Sequence, residues 1–149
     1  MPEKTHKDQN LRLLYQENAN FHRDIIEWRH KVMLRFFITT GAFSLAVGWI
    51  WQTNDDRLKR WLWVPFLLAS FNSVVFYLFD RRNAMVMKMC ERVGKKMEET
   101  LHKVGGYYTG FSEMLTTRNT YTNILRVLYL STALMSFIGS VILLLRYYL

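Results

Sequence analysis

Phe36-Phe37-Ile38-Thr39-Thr40-Gly41-Ala42-Phe43-Ser44-Leu45-Ala46-Val47-Gly48-Trp49-Ile50-Trp51 runs for sixteen residues without a charge. A bilayer core about 30 Å thick is crossed by roughly 20 helical residues. The run reaches that length when 32–35 joins it, with Arg35 snorkelling towards the headgroups. A nine-residue polar turn follows at 52–60, and then 61–79, nineteen residues again without charge. Trp49, Trp51, Trp61 and Trp63 crowd the two ends that meet at the turn, as an interfacial aromatic belt does. The pair predicts a membrane hairpin. A third uncharged run, 128–145, predicts a third span.

Working outward, half of the 149 residues are apolar, yet mean hydropathy is near zero. The apolar residues therefore sit in blocks, as they do when membrane spans alternate with charged stretches. The net charge of +8 fits the basic flanks that orient a membrane protein, and nucleic acid is not expected as a primary ligand. Cys90 is the single cysteine, which excludes an intrachain disulfide and a cysteine-rich metal site. The first apolar run begins some thirty residues in and lacks a small-x-small pattern behind it, so a cleaved signal peptide is not expected. No cofactor is expected.

Residues 1–10 read as a polar tail. From Leu11 the positions Leu11, Leu14, Asn18, Phe21, Ile25, Trp28 and Val32 recur at alternating steps of three and four. That is a heptad seam, the expected assembly surface, and nothing breaks it before the first span. Asn18 either fixes register and copy number within the seam or is a tolerated polar residue. Beyond the second span, Val86, Cys90, Val93, Met97, Leu101 and Val104 form another apolar stripe, with Lys88, Arg92, Lys95, Lys96, Glu98 and Glu99 on the other faces. The two extensions match in length, so they are expected to pack antiparallel, with Trp28 near Met85 and Leu11 to Leu14 near Leu101 to Val104. Gly105 and Gly106 end the second helix. The segment 107–110 reads as a turn, and the return is partly helical with Phe111 and Leu115 inward. The division expected is a tail at 1–10, a hairpin unit at 11–104, and a return segment with the third span at 105–149.

Polar residues within the spans are expensive unless they find a partner. Asn72 and Ser73 in the second span, and Thr132, Ser136 and Ser140 at steps of four in the third, are expected either to pack helices closely or to line a polar lumen. Lysines and arginines number seven in 1–35, three in 52–60, nine in 80–126 and one after the third span. The positive-inside rule then places the N-terminus in the cytosol and the C-terminus outside, in an inner membrane.

No phosphate loop, nucleophile elbow or zinc pair is present. Arg23-Asp24-Ile25-Ile26-Glu27-Trp28-Arg29-His30 resembles the arginine-to-histidine signature of the HEPN ribonucleases. In that family the arginine steadies phosphate charge and the histidine handles the ribose hydroxyl proton, roles that would fall to Arg23 and His30. With twelve arginines and four histidines such a spacing arises about once by chance. The expected reading is an interfacial basic cluster and no enzyme.

Phe76-Tyr77-Leu78-Phe79-Asp80-Arg81-Arg82-Asn83, set between a tight hairpin and a charged helix, carries a further resemblance. Over roughly 20–100 the layout resembles small membrane proteins of bacterial anti-phage systems, namely the SLATT-like two-transmembrane effectors and the membrane accessory proteins of type VI-B CRISPR loci. The resemblance implies an oligomeric effector that permeabilises the inner membrane, with the cluster at 80–83 as a structural junction. The expected fold is all-α: three transmembrane helices with long cytosolic helical extensions forming a small bundle. The expected function is a self-associating membrane effector, whose partners are the lipid bilayer and further copies. The alternatives are a non-catalytic adaptor whose basic bundle binds a soluble protein, and a membrane-tethered ribonuclease.

Overall fold

The structure is a computed structural model that describes the backbone of residues 2–101, 106–113 and 116–148, and the side chains of 8–101, 106–110 and 122–148. It is all-α, with no strand among the described residues. The elements are α1 (Pro2–Gln52), α2 (Asp56–Lys59), α3 (Trp63–Thr100), α4 (Tyr107–Glu113) and α5 (Thr116–Tyr148). Three of these helical segments are long and apolar enough to cross a membrane. The helix α1 begins at Pro2, ahead of the start expected at Leu11. Proline is pre-organised for the first helical position, and no breaker follows it. The polar turn holds α2, whose N-terminus is capped by Asp55 accepting from the Arg57 amide at 2.8 Å.

The segment 107–110, expected as a turn, is instead the first part of α4. Val104, Gly105, Phe111 and Leu115, which carried the other expectations for this connection, lie outside the residues whose side chains are described.

The chain forms two compact units. One combines Met1–His30 with Arg81–Thr122, and the other combines Lys31–Asp80 with Asn123–Leu149. The charged unit packs α1 antiparallel to α3: Tyr15 meets Glu98, His22 meets Glu91, and Ile25 clusters with Met87 and Cys90. The pairs advance along one helix as they retreat along the other. This fixes the register, with Phe21 level with residue 92 and Trp28 level with Met85.

The apolar unit holds the three spans. Phe36 lies edge-on to Phe76 and Tyr129, with ring centres 5.6 and 4.7 Å away. Outward, Leu45, Phe71 and Met135 are exposed, as lipid-facing residues are.

Candidate functional site

The charged unit is built around one carboxylate. Glu98 is buried, and its Oε1 accepts from the Tyr15 hydroxyl at 2.7 Å and the Tyr108 amide at 2.7 Å. Its Oε2 accepts from the Thr109 amide at 3.0 Å and the Thr109 hydroxyl at 2.5 Å. The two amides belong to the first turn of α4, where no helical carbonyl can reach them. Glu98 thus fastens α4 onto α3 and α1 together. Burial works against its charge, but the hydrogen bonds from Thr109, Tyr15 and the α4 amides outweigh burial and hold the carboxyl below its ordinary range.

Around this centre the polar groups answer one another. The Tyr15 hydroxyl accepts from the Tyr107 amide at 3.0 Å. Asn18 Nδ2 donates to the Cys90 carbonyl at 2.9 Å and the Tyr108 hydroxyl at 2.7 Å. His22 is fully buried, with Nε2 at 3.2 Å from Glu91 Oε1 and Nδ1 at 3.1 Å from the Tyr107 hydroxyl. Burial pushes the Tyr108 phenol and the Cys90 thiol up from their ordinary values. Tyr108 fits because Gly94 has no side chain: a Cβ there would overlap the ring. With four acceptor sites filled, the Glu98 carboxylate has none left for a substrate. Chemically this is a lock.

The buried line on α1 differs from the expected seam. Tyr15, Ala19, His22, Ile25 and Arg29 are buried and Leu11 and Asn18 are half-buried, whereas Leu14, Phe21 and Trp28 are about half exposed. The heptad reading followed the large apolar residues. The structure buries polar ones because each has a partner: Glu98 for Tyr15, Glu91 for His22, and the Thr122 hydroxyl 3.5 Å from Arg29. Asn18 therefore has partners in its own chain. Glu98, read as a residue of the charged face, belongs to the core. On α3, Cys90 is buried and Val86, Met97 and Leu101 are half-buried as expected, but Val93 is exposed.

The resulting surface is unusual for a charged segment. Leu14, Phe21 and Trp28 recur at steps of seven on α1, and Met85, Met89 and Val93 at steps of four on α3, all between 45% and 60% exposed.

In the apolar unit the polar side chains hold helices together. Asn72 Nδ2 donates to Thr39 Oγ1 at 2.9 Å, Ser70 to the Ala133 carbonyl at 2.9 Å, and Ser140 to the Trp63 carbonyl at 3.1 Å. Ser73 and Thr132 donate to carbonyls of their own helices, those of Ala69 and Leu128. Ser136 borders a crevice of about 180 Å³ with Thr40, Ser44, Phe66 and Ala69. Of the two readings of the stripe, packing describes Ser140.

Arg23 and His30 lie exposed on one side of α1. Arg23 Nη2 donates to Asn20 Oδ1 at 2.7 Å, and His30 Nδ1 bonds the Ile26 carbonyl at 2.9 Å. Among the described residues no three His, Cys, Asp or Glu side chains gather as metal ligands. Sequence reasoning missed Tyr15, His22, Glu91, Tyr107, Tyr108 and Thr109. Gly94, an uncompensated glycine within a charged helix, was the available signal that something large lay against it. Comparison of the chain with family models, curated proteins and solved structures finds no match.

Proposed function

We propose that this chain is a self-associating multi-span membrane protein that acts on an inner membrane by assembling copies, in the manner of a membrane-perturbing effector. The observation that carries this reading is the row of large apolar side chains on the charged unit, Phe21 and Met89 foremost. Lipid explains exposed apolar residues on the spans. It does not explain them in a segment bearing Arg12, Arg23, Asp24, Lys88, Arg92 and Lys96, which belongs in water. Contiguous apolar surface there marks an interaction site. The lysine and arginine counts support a cytosolic charged unit. A defence setting rests on the layout of 20–100 alone.

Permeabilisation would take several copies, since the polar side chains of the spans bond within the chain. The role is non-catalytic in this reading: Arg23 and His30 are each bonded to their own helix, and the Glu98 carboxylate already accepts four hydrogen bonds. The adaptor reading is favoured by the exposed Lys88, Arg92, Lys95 and Lys96 on α3. Induced expression in a bacterium separates the two. Growth arrest with dye uptake, both abolished by Phe21→Glu, is the expected result. Unchanged growth and an intact barrier, with recovery of a soluble protein on pull-down, would replace effector by adaptor.

A further inference from the structure

Taking self-association as given, the surface and the symmetry of the contact can be read from the helices. Going round α1 from the side that meets α4, one passes Ala19 and Tyr15, then His22 and Asn18, then Ile25, and arrives at Leu14, Phe21 and Trp28. Going round α3, one passes Glu91, which meets His22 of α1, then Glu98 and Gly94, which meet α4, then Cys90 and Val86, and arrives at Val93, Met89 and Met85. In both helices the exposed stripe follows directly on the residues of the α1–α3 contact around Ile25, Cys90 and Val86. The two stripes therefore flank one seam, on the side of the unit away from α4.

Beyond the stripes the edges carry opposite charge. Glu17 and Asp24 follow on α1, while Arg92 and Lys88 follow on α3 beside one carboxylate, Glu99, and Lys96 lies between Met89 and Met85, all exposed. The antiparallel register sets Glu17 level with Lys96, and Asp24 level with the gap between Lys88 and Arg92. A two-fold axis parallel to α1 and α3 preserves level and lays α1 of one copy over α3 of the other. Acidic edge then meets basic edge at matching heights, Phe21 meets Met89 and Val93, and Trp28 meets Met85.

We infer that this face is a two-fold, parallel, self-complementary interface whose occupant is a second copy of the chain. The apolar stripes supply the buried centre, and the pairs of Glu17 with Lys96 and of Asp24 with Lys88 and Arg92 set orientation at the rim.

The test uses the full chain in membranes with Cys90→Ala, so that added cysteines are the only thiols. Phe21→Cys on one tagged copy and Val93→Cys on a differently tagged copy are oxidised together. A crosslinked pair carrying both tags is expected, and none when Asn20→Cys replaces Phe21→Cys. Glu17→Lys alone should lower the crosslink yield several-fold, as should Lys96→Glu alone, and the two together should restore it. Equal crosslinking from Asn20→Cys, or no rescue by the double exchange, would overturn the interface. If no crosslink forms but the extracted particle is larger than one chain, copies assemble through another surface and only this inference falls. If the particle is a single chain, the self-association reading falls with it.

Discussion

The Glu98 carboxylate accepts a hydrogen bond from the Tyr15 hydroxyl at 2.7 Å across eighty-three residues of sequence. The same carboxylate holds the first turn of α4, so three helices of the charged unit depend on one side chain. Such a contact cannot be lost locally. Removing it leaves buried donors on α1 and α4 without an acceptor.

Glu98→Ala should therefore destabilise the charged unit by about 3 kcal/mol or more, since each buried donor left unsatisfied costs about 1–3 kcal/mol. Glu98→Gln keeps the shape but loses the charge, and should cost about half as much. Thermal unfolding followed by the near-ultraviolet signal of the tyrosines measures both. Equal, negligible losses would remove Glu98 from the centre of the unit.

Acid should act through the same residue. The folded carboxyl titrates below its ordinary value of 4.5, so its stabilisation is complete above that value and is lost as pH falls through the folded one. The unfolding temperature should drop on acidification from about pH 5 to pH 3, and Glu98→Gln should flatten that slope. An unchanged slope in the variant would assign the acid sensitivity to other groups.

Two glycines within helices should behave oppositely. A Cβ at Gly94 would overlap the Tyr108 ring, whereas one at Gly41 meets nothing within 4 Å. Gly94→Ala should cost about 1–3 kcal/mol through displaced packing. Gly41→Ala should be neutral or gain up to about 1 kcal/mol from helix propensity. Thermal midpoints of the two purified variants decide it; a tolerated Gly94→Ala would mean that Tyr108 does not need its place.

Between the spans, Asn72→Leu and Thr39→Val should each weaken the pairing of α1 with α3 by about 0.6–1.7 kcal/mol. The double variant should cost no more than either single one, because both remove the same bond. Additive losses in a denaturation cycle would show that the two side chains act separately.

The spans and the all-α class were legible because uncharged runs such as 61–79 are long and need no partner to be recognised. The antiparallel pairing of the extensions was legible from their matched lengths. The buried line of α1 was not. Tyr15, His22 and Glu98 look like surface residues until their partners are known, and the partners of Tyr15 and His22 lie sixty-nine to eighty-five positions away. Periodicity finds apolar faces but not polar groups buried in pairs. Ile25 and Val32 of the expected seam are buried, but Leu14, Phe21 and Trp28 lie on the outside, one position from the buried Tyr15, His22 and Arg29. Ser140 was named as a candidate, but which carbonyl it reaches depends on the approach of α5 to α3, which spacing along one helix does not encode.

The central claim is that copies associate, and the mass of the particle in the smallest nanodisc that holds it tests this most directly. The account predicts a protein mass that is a whole multiple of 17.9 kDa, two or greater, which falls to one chain on Phe21→Glu. A wild-type particle of 17.9 kDa across the accessible concentration range would contradict it.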